Sequence, residues 1–146
     1  MKIYIGTDHA GFELKNRLVS FLTKLGHEVK DFGAYSYEAW DDYPDFIRPV
    51  AVAVAGDKNS RGIILGGSGQ GEAMCANRIP GVRAAVYYGG PIDIAILSRE
   101  HNEANILSLG VRFIEDKEAE KVVSVWLATP FGGEEKHARR IKKIDA

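Results

Sequence analysis

The sequence predicts a three-layer α/β/α domain on a five-stranded parallel, Rossmann-like sheet, with residues 1–146 forming one domain. Three observations lead there. Short apolar runs alternate with amphipathic stretches five times, the pattern of parallel strands joined by crossover helices. The run Gly62 to Leu65 is apolar throughout, as a strand buried on both faces must be. Glycines (Gly6, Gly26, Gly33, Gly62, Gly110) stand at the ends of these segments, as a tightly connected α/β chain requires.

The elements follow in order. Ile3 to Ile5 is a strand ended by Gly6, with Thr7, Asp8 and His9 behind it. From Gly11 the period becomes 3.6, through Leu14, Leu18, Phe21, Leu22 and Leu25, and Gly26 stops the helix. Val29 to Phe32 is the second strand, and the polar, aromatic stretch Ala34 to Tyr43 a long loop. Asp42 is placed to cap a helix with Pro44 in its first turn and Phe46, Ile47, Val50, Ala51 and Val54 on one face. Pro49 inside it should kink it. The third, fourth and fifth strands are Gly62 to Leu65, Arg83 to Tyr88 and Asn105 to Leu109. Short helices at about Gly71 to Asn77 and Pro91 to Glu100 lie between them. Ala119, Val122, Val123, Trp126 and Leu127 form the clearest helical ladder, and a basic helix closes the chain at about 134–144.

Composition excludes several function classes. Nineteen Lys and Arg against 20 Asp and Glu leave a net charge of -1, so bulk electrostatics would hold neither nucleic acid nor a membrane surface. The lone Cys75 forbids an intrachain disulfide, and a reducing cytoplasm is the expected compartment. The polar N-terminus does not read as a signal peptide, and no apolar run reaches membrane-spanning length. One excess needs explaining: glycine is 16 of 146 residues.

Four of those sixteen fall within six residues, Gly66-Gly67-Ser68-Gly69-Gln70-Gly71, followed by Glu72. A strand leads in and a helix leads out, so bare amides face the position where an anion or a developing negative charge could sit. A dinucleotide fingerprint would need G-x-G-x-x-G after the first strand, and here the spacing and the strand are both wrong. A P-loop would need Lys where Glu72 stands, and a carboxylate repels polyphosphate. The reading that remains makes Glu72 a general base beside an oxyanion site built from loop amides. Its bland alternative is a tight turn with Glu72 balancing the helix N-terminus.

His9, directly after the first strand, lies where open α/β sheets hold ligands, although a satisfied loop histidine is an equal alternative. His101, between Glu100 and Asn102, carries little weight by itself, and His27 has no polar company and reads as structural. Lys136 and Arg140 are i, i+4 and could clamp a phosphate, against the alternative that the basic tail, His137 included, is a solvated face. Cys75, among Ala73, Met74 and Ala76, reads as a packing residue.

Taken together, Asp8-His9-Ala10-Gly11, Asp42-Tyr43-Pro44, the loop Gly66 to Glu72 and Ala76-Asn77-Arg78 resemble the type B ribose-5-phosphate isomerase family. So do Pro80-Gly81-Val82-Arg83, His101-Asn102, Ala104-Asn105 and Lys136-His137-Ala138-Arg139-Arg140, over nearly the whole chain and in order. That family also holds allose- and galactose-6-phosphate isomerases. The resemblance implies a metal-free, cofactor-free aldose–ketose isomerase of a small phosphorylated sugar, with strand order 2-1-3-5-4. It further implies a homodimer with shared active sites, with association into a tetramer left open. Asp8, His9 and the glycine loop would come from one chain, and His101, Asn102, Lys136 and Arg140 from the other. By the same resemblance His101 helps open the sugar ring and Glu72 moves the proton between C2 and C1. Ser68 and the amides of Gly67, Gly69 and Gly71 would hold the enediolate, and His9, Arg112, Lys136 and Arg140 the phosphate. Two departures stand out. Many members carry a catalytic Cys where Gly66 stands, so this chain resembles the subgroup with a loop Ser and a Glu base. The tail has Glu134-Glu135 inserted after Gly132-Gly133, and Lys136 replaces an Arg, losing its bidentate grip. A hexose-6-phosphate substrate, or a sugar-phosphate-binding regulatory module without chemistry, are the alternatives.

Overall fold

Along the central strands, neighbouring residues point to opposite faces and are buried on both, so the sheet needs a helical layer on each side. The computed structural model describes residues 1–146 and supplies both layers. The strands are β1 (Lys2–Thr7), β2 (Glu28–Asp31), β3 (Arg61–Gly66), β4 (Ala84–Tyr87) and β5 (Ile106–Gly110). The helices are α1 (Phe12–Lys24), α2 (Pro44–Gly56), α3 (Gln70–Ala76), α4 (Asp93–Glu100), α5 (Asp116–Ala128) and α6 (Glu135–Ile144), and a 3-10 turn spans His9–Gly11. All strand pairs are parallel, in the order β2-β1-β3-β5-β4, which is the order the family resemblance implies.

The two faces have separate cores. On one, Ile3, Ile5, Ile63, Leu65, Leu107 and Leu109 meet Leu14, Leu18 and Leu22 of α1 and Val122, Val123 and Trp126 of α5. On the other, Tyr4, Ile64 and Ile106 meet Ile47, Val50, Ala51 and Val54 of α2 and Ala76 of α3. Each fully buried aliphatic side chain is worth about 1.5–3 kcal/mol. No helix is long and apolar enough to cross a membrane.

Most expected boundaries are met within a residue or two. The cap of α2 is not. Tyr43 is already helical (φ -56°, ψ -35°), its carbonyl accepts from the Phe46 and Ile47 amides at 3.0 Å, and no side chain caps the helix. Pro44 explains why Asp42 is not needed: it sits in the first turn and has no N–H to satisfy. The helix runs on through Pro49 to Gly56. Pro91 and Ile92 form a lead-in turn to α4, which itself begins at Asp93.

The long loop after β2 is held in place at its root. The Thr7 amide donates to the Gly33 carbonyl and the Ala34 amide to the Thr7 carbonyl, at 2.8 and 2.7 Å. Lys15, a buried charge on α1, donates to Asp31 Oδ2 and the Ala34 carbonyl, both at 2.7 Å. A buried ammonium needs both a counter-ion and hydrogen bonds, and it has them. The loop is thereby fixed beside the carboxyl end of β1.

Candidate active site

The glycine loop joins β3 to α3 at the carboxyl edge of the sheet, where ligands of open parallel sheets sit. Its carbonyls are tied down from one side. Val111 N–H donates to Gly66 O at 2.9 Å, Arg112 N–H to Gly67 O at 3.1 Å, and Ser108 Oγ to Gly69 O at 2.7 Å. The N–H groups of Gly67, Ser68, Gly69 and Gly71 donate to no backbone carbonyl. Gly69 turns the chain at φ +77°, a conformation costly for any residue with a Cβ. Pinned carbonyls and unengaged amides are what an oxyanion site needs. The Ser68 hydroxyl sits within the loop, accepting from the Gln70 amide at 3.2 Å.

Glu72, in the first turn of α3, is 5% exposed. Its carboxyl lies flat against the Gly66 backbone, so close that a Cβ at position 66 would overlap it. Burial is the leading cause that raises its pKa above the ordinary carboxylate range, and the charge of Asp8 adds to it, while Arg112 works against it. The sequence reading of Glu72 as a base therefore finds a buried, basic carboxyl beside free amides. The bland alternative, a tight turn with Glu72 balancing the helix N-terminus, also meets a carboxyl in the first turn of α3.

Four further side chains, Arg112, Tyr43, Asp8 and His9, line the same edge. The Arg112 guanidinium lies over Gly67, with Cζ 2.9 Å from where a Cβ would stand. The Tyr43 hydroxyl packs against Gly71 in the same way, so the Asp42-Tyr43-Pro44 segment reaches the loop through its tyrosine. Asp8 accepts the Ala10 amide at 3.0 Å, and burial raises its pKa. His9 follows, and its Nδ1 is 2.6 Å from Asp41 Oδ1, which also accepts the His9 amide at 3.1 Å. That hydrogen bond is the main cause that raises the His9 pKa. Asp8, His9 and Asp41 present ligand atoms within 4.8 Å of one another, close enough to consider a cation. The short Nδ1···Oδ1 contact is a hydrogen bond that occupies the Nδ1 side of the ring.

The remaining sequence candidates gather elsewhere. His101 caps the C-terminus of α4, ahead of β5, and so lies at the amino edge of the sheet with Asn102. His137 of α6 stacks on it, with ring centroids 4.2 Å apart and planes 15° from parallel. His137 is thus not part of a solvated face: it is 8% exposed, and burial together with the nearby His101 lowers its pKa. The stack brings α6, with Lys136 and Arg140, to the His101 side. Residues Gly62 to Gly66 pair with Ile106 to Gly110, so a strand length of about 13 Å separates the two edges. One chain therefore gathers the candidates into two separate groups: Asp8, His9, the loop, Glu72 and Arg112 at one edge, and His101, Asn102, Lys136 and Arg140 at the other. A cleft of about 570 Å³ near the second group, lined by Arg78, Arg83, Asn102 and Ala146 among others, contains none of the first.

Asp41 and the His101–His137 stack escape sequence reading, because each contact joins residues more than thirty positions apart. One minor expectation also changes. His27 has a polar neighbour, since the N-terminal amine lies 3.2 Å from its Nδ1. Cys75, as expected, packs against the α2 face core.

Comparison with known proteins agrees with the fold. Residues 3–144 match the ribose/galactose isomerase family. The chain is 43% identical over 141 residues to ribose-5-phosphate isomerase B of Mycolicibacterium paratuberculosis, covering 97% of this chain and 87% of that one. The structure of Clostridium thermocellum ribose-5-phosphate isomerase B superposes with a TM-score of 0.93 at 46% identity, over 99% of this chain and 95% of that one. The Mycoplasma genitalium ribose-5-phosphate isomerase B with bound ribulose-5-phosphate gives 0.94 at 39% identity, over 99% and 93%.

Proposed function

The chain belongs to the ribose/galactose isomerase family, and from that premise we propose that it interconverts ribose 5-phosphate and ribulose 5-phosphate by proton transfer through an enediolate. The observation that carries the mechanism is the buried Glu72 carboxyl folded onto Gly66 beside unengaged loop amides. A carboxyl whose pKa is raised by burial is a stronger base towards a carbon acid than an ordinary one. Glu72 takes the proton from C2 of the open aldose and returns it to C1. Ser68 and the amides of Gly67, Gly69 and Gly71 hold the charge that develops on the oxygens. This is the pattern of a Glu base with a loop serine. A Cys side chain at 66 and Glu72 in its present position would compete for the same space, so the glycine and the glutamate act as a pair.

His9 and Arg112 receive the phosphate from their own chain, and Lys136 and Arg140 from a second. His101 and Asn102 of that second chain assist ring opening. The separation of the two groups supports a homodimer in which each site takes one group from each chain. Mixing tests this. Glu72→Gln and His101→Gln dimers, each inactive alone, should regain about one quarter of wild-type activity after dissociation and reassociation, since half of the dimers then hold one intact site. A mixture that stays inactive while subunits exchange overturns the shared site.

The reaction itself is tested in D₂O. Enzyme-dependent deuterium at C1 or C2 of the sugar phosphate is expected, and binding without exchange would instead indicate a sugar-phosphate-binding module. A panel of aldose 5- and 6-phosphates fixes the substrate. The expected order favours ribose 5-phosphate over allose or galactose 6-phosphate by about tenfold or more in kcat/KM. The opposite order would place the chain with the hexose phosphate isomerases.

A further inference from the structure

Asp41 stands on the loop between β2 and α2 and touches the site only through His9. Its Oδ1 accepts from the His9 ring at 2.6 Å and from the His9 amide at 3.1 Å, so one oxygen fixes both the backbone and the imidazole. Its Oδ2 is buried and makes no hydrogen bond, although the side chain as a whole is 11% exposed. A carboxylate with one oxygen orphaned has its charge balanced chiefly by the group on the other oxygen. Here that group is the His9 ring. With Nδ1 held, Nε2 is the ring nitrogen left to meet a ligand, and the ring is 28% exposed. Tyr37 from the same loop sets its edge against the imidazole, with centroids 6.0 Å apart.

We infer that Asp41 is the positioning residue for His9, aiming its Nε2 at the phosphate end of the substrate and setting a counter-charge against the ring. The inference rests on the proposed function for the identity of the ligand, and on the Asp41–His9 geometry for the rest. The charged and titratable groups around His9 are Asp8 at the end of β1, with Oδ2 3.8 Å from Nδ1, Asp41 and Tyr37 from the loop, and Arg112 after β5. The hydrogen bond to Asp41 raises the His9 pKa most, the charges of Asp8 and Asp41 add to it, and burial and Arg112 oppose it. The sign follows. Removing the charge of Asp41 lets the ring lose its proton at a lower pH, so the phosphate grip weakens first on the alkaline side.

Two variants separate aim from charge. Asp41→Asn keeps an oxygen that can accept from both His9 groups and loses only the charge. Asp41→Ala loses both. In the unliganded protein, the His9 ring titration followed by ¹⁵N NMR should move to lower pH in Asp41→Asn. KM for ribose 5-phosphate should then rise about tenfold at pH 8 with kcat unchanged, and return towards wild type at pH 6. Asp41→Ala should keep a raised KM even at pH 6, because the ring is no longer aimed. The phosphate ester titrates identically in every sample, so comparison between variants cancels it. An unmoved His9 titration in Asp41→Asn overturns the inference, as does a KM–pH profile equal to wild type or a loss confined to kcat. Equal KM values for the two variants at pH 6 overturn the aiming role. Should the wild-type chain fail to isomerise ribose 5-phosphate, the functional reading falls, while the NMR titration still decides the Asp41–His9 coupling.

Discussion

Glu72→Gln is expected to lower kcat by about 10²–10⁴-fold, the range a positioned acid–base group supplies, while KM changes little. Gln keeps the shape of the side chain against Gly66 and its place beside the loop, so substrate still binds and only the proton carrier is gone. The same variant should gain stability relative to wild type as pH rises. Burial raises the pKa of Glu72 in the folded chain, so the folded state holds the proton more tightly than the unfolded one. The resulting stabilisation is present below the ordinary carboxylate range and is lost as pH rises through the raised value. Above that raised value the wild type carries a buried charge that disfavours folding, and the amide does not. Urea unfolding at pH 5 and pH 7.5 measures this: the wild type should lose stability between the two relative to the variant. Near-normal turnover in Glu72→Gln would remove Glu72 from the chemistry altogether.

Gly66→Ala should be nearly as damaging, though it adds one methyl group to a residue that donates nothing to the reaction. The new Cβ would overlap the Glu72 carboxyl, and the glycine is wholly enclosed at the end of β3. Either the carboxyl swings away from the loop or the strand end moves. A displacement near 1 Å at a reacting group costs about 10²-fold in rate. Overpacking adds a stability loss of about 1–3 kcal/mol. The double variant Gly66→Ala, Glu72→Ala should recover much of that stability and none of the activity, because the clash leaves with the carboxyl. Stability losses that simply add would show that the two residues do not meet. Full activity in Gly66→Ala would show that the base does not work from its present position.

The parts legible in the sequence are those whose signal is local. Gly62 to Leu65 reads as a buried strand because its apolar run is unbroken, and Ala119 to Leu127 as a helix because its spacing is regular. The glycine loop with Glu72 is one contiguous segment between a strand and a helix, so its chemistry could be argued before its shape was known. What could not be read depends on side chains meeting across the fold. Nothing around Asp41 marks it apart from Asp42, yet one holds His9 and the other caps nothing. His137 sits in a run of basic residues, and only the stack on His101 shows that α6 docks by that ring. Arg112, named through family resemblance alone, is explained by its own amide bonding to Gly67, which brings the guanidinium over the loop.

The division of the site between the two edges of the sheet has a genetic consequence in the proposed dimer. Lesions of Glu72 and His101 on different chains leave one of the two sites whole. The same two lesions on one chain strike both sites of a mixed dimer, because that chain supplies the base to one and the histidine to the other. A doubly altered allele would then silence the normal product with which it pairs, and so behave as dominant, while each single lesion leaves half the sites of a mixed dimer working.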